Sequence, residues 1–383
     1  MCSLTAADGA VAWRFRAAPW EVLTLDDGKL AGLWPVSSSV LFHNGLIYVV
    51  AGRNSYLDGG IHVYALDPAT GAVKHHRNLE GPRPDKEGLR TAVVTELDIK
   101  NAAPDKKKSL EQIMATQYAT GYNLHGAEAD LLVADEAGDL YLMQTKLTPA
   151  LEPVRLERLA GMGITPMGGM HMVANTGFLD DTMFHRSFRW YDVSWPGYGT
   201  GSGWGARAGT MVAVGENQAY AAKHYEQGWY PTHTPGAGNR LVADGFQHQN
   251  TSGALADKEV LKKFNQYGNY ADLVRTGATN WDTTVPIIVR TMLVAPDGNG
   301  GELVLSAGIV EGTTKAEWEK SLYYEGPGKL LVHRGADGRQ LAAYDLPACP
   351  VYDCLSAADG KLLIPLMNGQ IACFAAKDVE EQE

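Results

Sequence analysis

Cysteine is scarce in this chain, with only Cys2, Cys349, Cys354 and Cys373 among 383 residues. That is too few, and too scattered, for a disulfide-built scaffold. Cys349 and Cys354 flank Pro350-Val351-Tyr352-Asp353, a loop that a disulfide closes only if the two Cα atoms come within about 7 Å. Long apolar runs are missing as well. No stretch approaches the roughly 20 residues of a membrane-spanning helix, and the first residues lack the basic and apolar regions of an export signal. Positive charge is in short supply: 33 Lys and Arg stand against 44 Asp and Glu, a formal charge of −11. Nucleic acid and anionic membranes select a basic surface, so neither is the expected partner.

What the chain has instead is glycine and large aromatics, with 43 Gly, 17 Tyr and 9 Trp, which suits an all-β fold with many turns. The clearest stretch runs from Ser39 to His76. Asn44-Gly45 supplies the two positive-φ positions of a type I′ turn between the apolar runs Val40 to Phe42 and Leu46 to Val50. Ile61 to Leu66 reads as a third strand, and Asp67-Pro68-Ala69-Thr70-Gly71 turns the chain into a fourth that begins at Ala72. Four short up-and-down strands make a propeller blade. A lone sheet cannot bury both faces, so companions are expected.

The first residues, Leu4-Thr5-Ala6-Ala7-Asp8-Gly9-Ala10-Val11-Ala12-Trp13, match Leu66 to His75 position for position, so the chain begins in mid-blade. Leu355 to Phe374 offers inner strands without an outer partner, through Lys361 to Pro365, the turn Met367 to Gln370, and Ile371 to Phe374. Pairing of the two termini in one composite blade would close the ring and hide sheet edges. The rival reading is a fragment, the C-terminal part of a longer chain. Weaker copies lie between the ends: Leu131 to Met143, Thr210 to Ala222, Val285 to Ser306 and Lys329 to Tyr344. At 40 to 50 residues per blade the length allows six to eight, and seven is the expected count in a single domain spanning 1–383. Two segments break the pattern and are expected outside the blades. In Lys100 to Gly126, Ser109 reads as the N-cap of a short helix after a solvated Lys106-Lys107-Lys108 loop; in Ala254 to Val274, apolar residues recur at helical spacing.

The repeat Tyr64 to Val73, with Leu4 to Trp13 matching it and ending in tryptophan, resembles that of pyrroloquinoline-quinone-type (quinoprotein-like) β-propellers. Ser55 to His62 and Gly177 to Asp181 with His185-Arg186 are similar to large propeller proteins of planctomycetes and related bacteria. The resemblance implies a bacterial, periplasmic or extracellular, monomeric propeller. Its dehydrogenase branch implies a quinone, PQQ, with a calcium ion; other members are non-enzymatic scaffolds, and fold alone does not choose between them. The dehydrogenases carry an adjacent cysteine pair that this chain lacks, and the docking tryptophan kept at Trp13 is His75 in the second copy.

Three places carry chemistry. Asp180 and Asp181 with His185 and Arg186 offer carboxylates, an imidazole and a guanidinium for metal, acid/base or anion work; the plainer reading is a capped turn with internal pairing. Arg53, Tyr56 and Asp58 sit on the connection between the second and third strands of the reference blade, where propellers present ligand loops, and the plainer reading is a loop bonded to its own backbone. Arg290 interrupts the apolar run Val285 to Leu293 and must be paired or reach a channel. If there is a small-ligand site, these eight residues supply part of it. The leading reading is a non-catalytic module binding a protein or sugar-like ligand. A quinone- or metal-dependent oxidoreductase, or a hydrolase or lyase using Asp180, Asp181 and His185, are the alternatives.

Overall fold

The computed structural model describes residues 1–5, 7–26, 28–80, 96–116, 127–143, 145–154, 165–174, 189–195, 208–223, 239–245 and 280–375. The chain divides into two compact units, one made chiefly of residues 1–187 and one chiefly of 202–250 and 271–383.

In the first unit, β1 (Cys2–Leu4) pairs with β2 (Val11–Arg14), and β3 (Leu23–Asp26) with β4 (Lys29–Gly32), as two hairpins. Then come β5 (Leu41–His43), β6 (Leu46–Ala51), β7 (Ile61–Leu66) and β8 (Val73–Leu79), an antiparallel sheet in sequence order. The Asn44-Gly45 turn is as expected, with φ of 48° and 75°. Helices α1 (Glu96–Asn101) and α2 (Pro104–Thr116) precede a second four-stranded meander of β9 (Val133–Ala134), β10 (Leu140–Leu142), β11 (Thr145–Leu147) and β12 (Pro153–Val154). β13 (Thr165–Ala174) follows.

The first residues of β14 (Arg189–Trp195) pair with β15 (Ala208–Gly209) in the second unit. A four-stranded sheet is formed by β16 (Met211–Val214), β17 (Gln218–Lys223), β18 (Asn239–Gly245) and β19 (Trp281–Val285). Another consists of β20 (Ile287–Pro296), β21 (Glu302–Val310), β22 (Gly328–Arg334) and β23 (Gln340–Leu346), with α3 (Lys315–Leu322) between β21 and β22. Three strands, β24 (Ser356–Ala358), β25 (Lys361–Pro365) and β26 (Ile371–Ala375), complete the described residues.

Strand periodicity explains how these sheets stack. Every residue of β7 is buried, because alternate side chains enter different cores. Ile61, Val63 and Ala65 pack with Leu140, Leu142 and Leu147 of the next sheet. Tyr64 and Leu66 pack with Ala17 and Trp34 of the preceding segment. The second unit repeats the plan: Val304 and Leu331 join Tyr220, Leu241 and Trp281 on one side, while Leu305, Ala307 and Leu330 join Ile364 and Leu366 on the other. The β5–β8 and β20–β23 sheets are thus each covered on both faces by their neighbours in sequence, which is blade packing.

A tryptophan fastens one blade to the next. Trp13 on β2 donates its indole N–H to the carbonyl of Pro68 at 2.9 Å and lies where a Cβ on Gly71 would meet its ring at 2.6 Å. Trp281 on β19 donates to Gly335 at 2.6 Å and covers Gly338, whose Cβ would meet the ring at 2.5 Å. The two receiving turns are the same structure. Gly71 N bonds to Asp67 O at 2.8 Å and Gly338 N to Arg334 O at 2.9 Å, and both glycines have φ of 71°. The N-terminal copy closes identically, Gly9 N to Thr5 O at 2.9 Å with φ of 72°. Where His75 replaces the tryptophan, Arg77, two residues on and so on the same face of β8, donates to Leu151 O at 3.0 Å and pairs with Glu152 in the following sheet.

Several expectations need correcting. Among the described residues five blades stand where seven were expected: four sheets have all four strands and β24–β26 has three, besides the three-stranded sheet of β13, β14 and β15. The repeat spacing overcounts because the β3–β4 hairpin and helices α1 and α2 use chain between blades. Among the described residues β2 bonds to β1, and β24–β26 form a three-stranded sheet of their own. The Thr5–Ala10 turn sets up this local pairing, and the terminal ammonium donates to Phe15 O at 2.8 Å across the hairpin. Residues 100–116 do lie outside the blades, but α2 begins at Pro104, a residue suited to the first helical position, so Ser109 is mid-helix and Lys106 to Lys108 are helical. Residues 254–274 lie outside the described residues. Among the described residues no helix is long and apolar enough to cross a membrane.

Replacing Trp281 should be costly in proportion to what is removed. Trp281→Ala should lower the unfolding free energy by about 3–5 kcal/mol through the cavity it leaves. Trp281→Phe should cost only about 1–2 kcal/mol, since Gly335 O keeps the bond from Gln218 Nε2 at 2.8 Å. Urea denaturation of both variants checks the order.

Candidate functional site

Arg290 stands at a break in the β20–β21 ladder. Val289 pairs with Gly308 and Thr291 with Ala307, which leaves Arg290 as the extra residue of a bulge. Bulges bend a strand and re-aim one side chain. Gly308 permits this one, because a Cβ there would overlap the carbonyl of Ile288. The connection after β23 locks it: Asp353 N donates to Arg290 O at 3.0 Å, and Leu355 N to Thr291 Oγ1 at 2.9 Å.

The re-aimed guanidinium meets two aromatic rings. Its Cζ lies 3.7 Å from the Tyr324 ring centre and 5.4 Å from that of Tyr352, both within cation–π range. Tyr324 follows α3, which is capped by Thr314 and Glu317 in a reciprocal box, and holds φ of 60° with its N–H on Ser321 O at 3.1 Å. A tyrosine at positive φ is uncommon and signals a position fixed by its surroundings. Arg189 donates Nε–H to the Tyr352 hydroxyl at 3.1 Å. Cys349 and Cys354, on the same connection, are free thiols. Burial pushes each up to about 11, outweighing the opposing pull of Arg290, so both are neutral at physiological pH.

Of the other expected residues, Arg53 and Asp58 are ion-paired at 2.5 Å with side chains 26% and 22% exposed. The Tyr56 amide bonds to Asn54 Oδ1 at 2.8 Å, while Ala129 N donates to Arg53 O at 2.7 Å and Ser55 N to Ala127 O at 2.8 Å. The loop is tied to itself and to residues 127–129. Asp180, Asp181, His185 and Arg186 lie outside the described residues. Arg53 belongs to one compact unit and Arg290 to the other. Among the described residues there is no group of three or more His, Cys, Asp or Glu placed to hold a metal ion.

Sequence reasoning missed three polar groups. Lys223, at the end of β17 opposite Arg240, is buried, and burial first and Arg240 second push its ammonium down to about 7. Glu302 accepts from the Tyr220 hydroxyl and the Glu216 amide, each at 2.5 Å, beside a cavity of about 490 Å³ lined by Asn217, Gln218, Val294 and Pro296 among others. The third group centres on His171, 1% exposed, stacked on Tyr141 with ring centres 3.6 Å apart. Its Nδ1 faces Gly169 O at 2.7 Å and must donate there, so neutral Nε2 is the bare nitrogen, and it has no partner. None had a sequence signal, since each residue sits within or beside an ordinary strand.

No family model matches the chain, and no curated protein matches it. Among solved structures it is similar to BamB from Moraxella catarrhalis, 10% identical over 95% of this chain and 88% of that one, with a TM-score of 0.36. It is also similar to the quinohemoprotein alcohol dehydrogenase ADHIIG from Pseudomonas putida HK5, 11% identical over 94% and 58%, TM-score 0.37. A third is quinohemoprotein alcohol dehydrogenase from Comamonas testosteroni, 12% identical over 95% and 59%, TM-score 0.32. At these identities and scores the likeness says nothing of ligand or activity. The propeller repeat stands on the chain's own blades and tryptophan docks.

Protonating His171 would bury a second N–H without an acceptor, and burial is the main cause that pulls its pKa down to about 4. A histidine depressed from about 6.5 in the unfolded chain contributes stability that is whole above pH 6.5 and lost as pH falls toward 4. Between pH 7.5 and 5 the loss should be about 2 kcal/mol. Denaturation midpoints of wild type and His171→Gln at the two pH values should differ by that smaller acid loss in the variant.

Proposed function

We propose that this chain is a non-catalytic quinoprotein-like propeller module that binds a protein or sugar-like ligand. The observation that carries the reading is the Arg290 stack, a guanidinium aimed by a bulge and set against two tyrosine faces at the end of β20. Such a pairing of flat apolar faces with a directional donor suits recognition of a ligand having both apolar and polar parts. The side chains around it are arginine, tyrosine and neutral thiol, which fit binding better than acid/base transfer. The module is proposed to act as a single monomeric domain in a periplasmic or extracellular setting, as the family resemblance implies.

The full chain should bind members of a peptide and glycan panel saturably and return them chemically unchanged by mass spectrometry. Turnover of a bound compound would overturn the reading. So would the lack of saturable binding across both halves of the panel.

A further inference from the structure

One donor of Arg290 is unmet. Its Nε is buried with no hydrogen-bond partner, and among the described residues no carboxylate forms an ion pair with its guanidinium. Asp353, the nearest acid in the connection, gives it a backbone amide. Two thiols stand close enough to feel its charge, and both stay protonated. Arg189, on the other side of Tyr352, adds a second positive charge with its Cζ 6.0 Å from the same ring. A half-buried cation without a counter-ion is costly, and like charge beside it raises that cost. The chain keeps Arg290 in place with a bulge, a capped helix and a positive-φ tyrosine.

From this geometry we infer that Arg290, beside Tyr324 and Tyr352, receives a carboxylate of the bound ligand. The inference rests on the binding reading above and names the chemistry of its ligand. The Tyr324 ring lies against the guanidinium, whose N–H groups point outward in its own plane. A carboxylate meets them with two parallel bonds. A planar carboxylate matches that flat fork, whereas a tetrahedral phosphate carries oxygens out of its plane. The carboxylate has two sources, an acidic peptide or a sugar acid.

The test uses the full folded chain and isothermal titration with acetate, glucuronate, an acetylated tetraglutamate peptide and inorganic phosphate, with glucose and a tetraglutamine peptide as neutral partners. The carboxylates should bind, and the tighter of glucuronate and tetraglutamate identifies the source. Binding should shift the near-ultraviolet tyrosine circular dichroism. Arg290→Gln should weaken the carboxylates at least about tenfold, the effect of losing about 1.4 kcal/mol, and Arg290→Lys should not restore them, since a point charge lacks the fork. Arg334→Gln, which removes an exposed arginine paired with Asp337, should bind as wild type does. Equal binding by wild type and a folded Arg290→Gln would overturn the inference, as would phosphate binding more tightly than every carboxylate, or no carboxylate binding at all. A ligand held through Arg290 and then chemically altered would leave the inference standing and remove the non-catalytic reading.

Discussion

A tryptophan lying on a left-handed glycine is the contact from which the rest of this architecture follows. One four-stranded sheet leaves half its apolar side chains in water, so blades persist only if each is held against the next. The dock does this with two complementary elements. The glycine supplies a turn that bends without a Cβ, and the indole fills the room left over while its N–H satisfies a carbonyl that the turn exposes. Hydrophobic burial is non-directional; the N–H bond fixes which part of the next blade is met. When the tryptophan is lost, as at His75, the cation at Arg77 performs the same bonding to the next turn, at the cost of the large apolar ring.

Securing the blades at their hairpin turns leaves the other ends of the strands available for irregularity. The bulge at Arg290, the helix between β21 and β22 and the tied connection at Asp353 all occur at that end of one sheet. An extra residue in a ladder costs little when the strand is covered on both faces, because Ile287, Val289 and Val304 stay in one core and Leu305 and Ala307 in the next.

Much of the fold was legible because turns are local. Asn44-Gly45, the Asp67 to Gly71 turn and its copy at Thr5 to Gly9 each announce their geometry through residues that tolerate positive φ. What failed was long-range or depended on a single residue. Trp281 went unseen because Asp282, Thr283 and Thr284 separate it from Val285, where the apolar run begins. Arg290 was legible as a charge among apolar residues. Its bulge was not, since period-two reading has no place for an extra residue, and Tyr324 and Tyr352 come from separate connections that only the folded sheet brings together.

The central claim, that tryptophan docks hold the blades, is tested most directly by alanine at three glycines of matched backbone. Gly9, Gly71 and Gly338 have φ of 72°, 71° and 71° in turns with the same hydrogen bond, but only the last two lie beneath an indole; Gly9 has nothing within 4 Å of an added Cβ. Strain from positive φ should therefore be common to all three, about 1 kcal/mol each. Urea denaturation of the full chain should show Gly71→Ala and Gly338→Ala less stable than Gly9→Ala by about 2 kcal/mol more, from overpacking against the ring. Equal losses at the three positions would contradict the account.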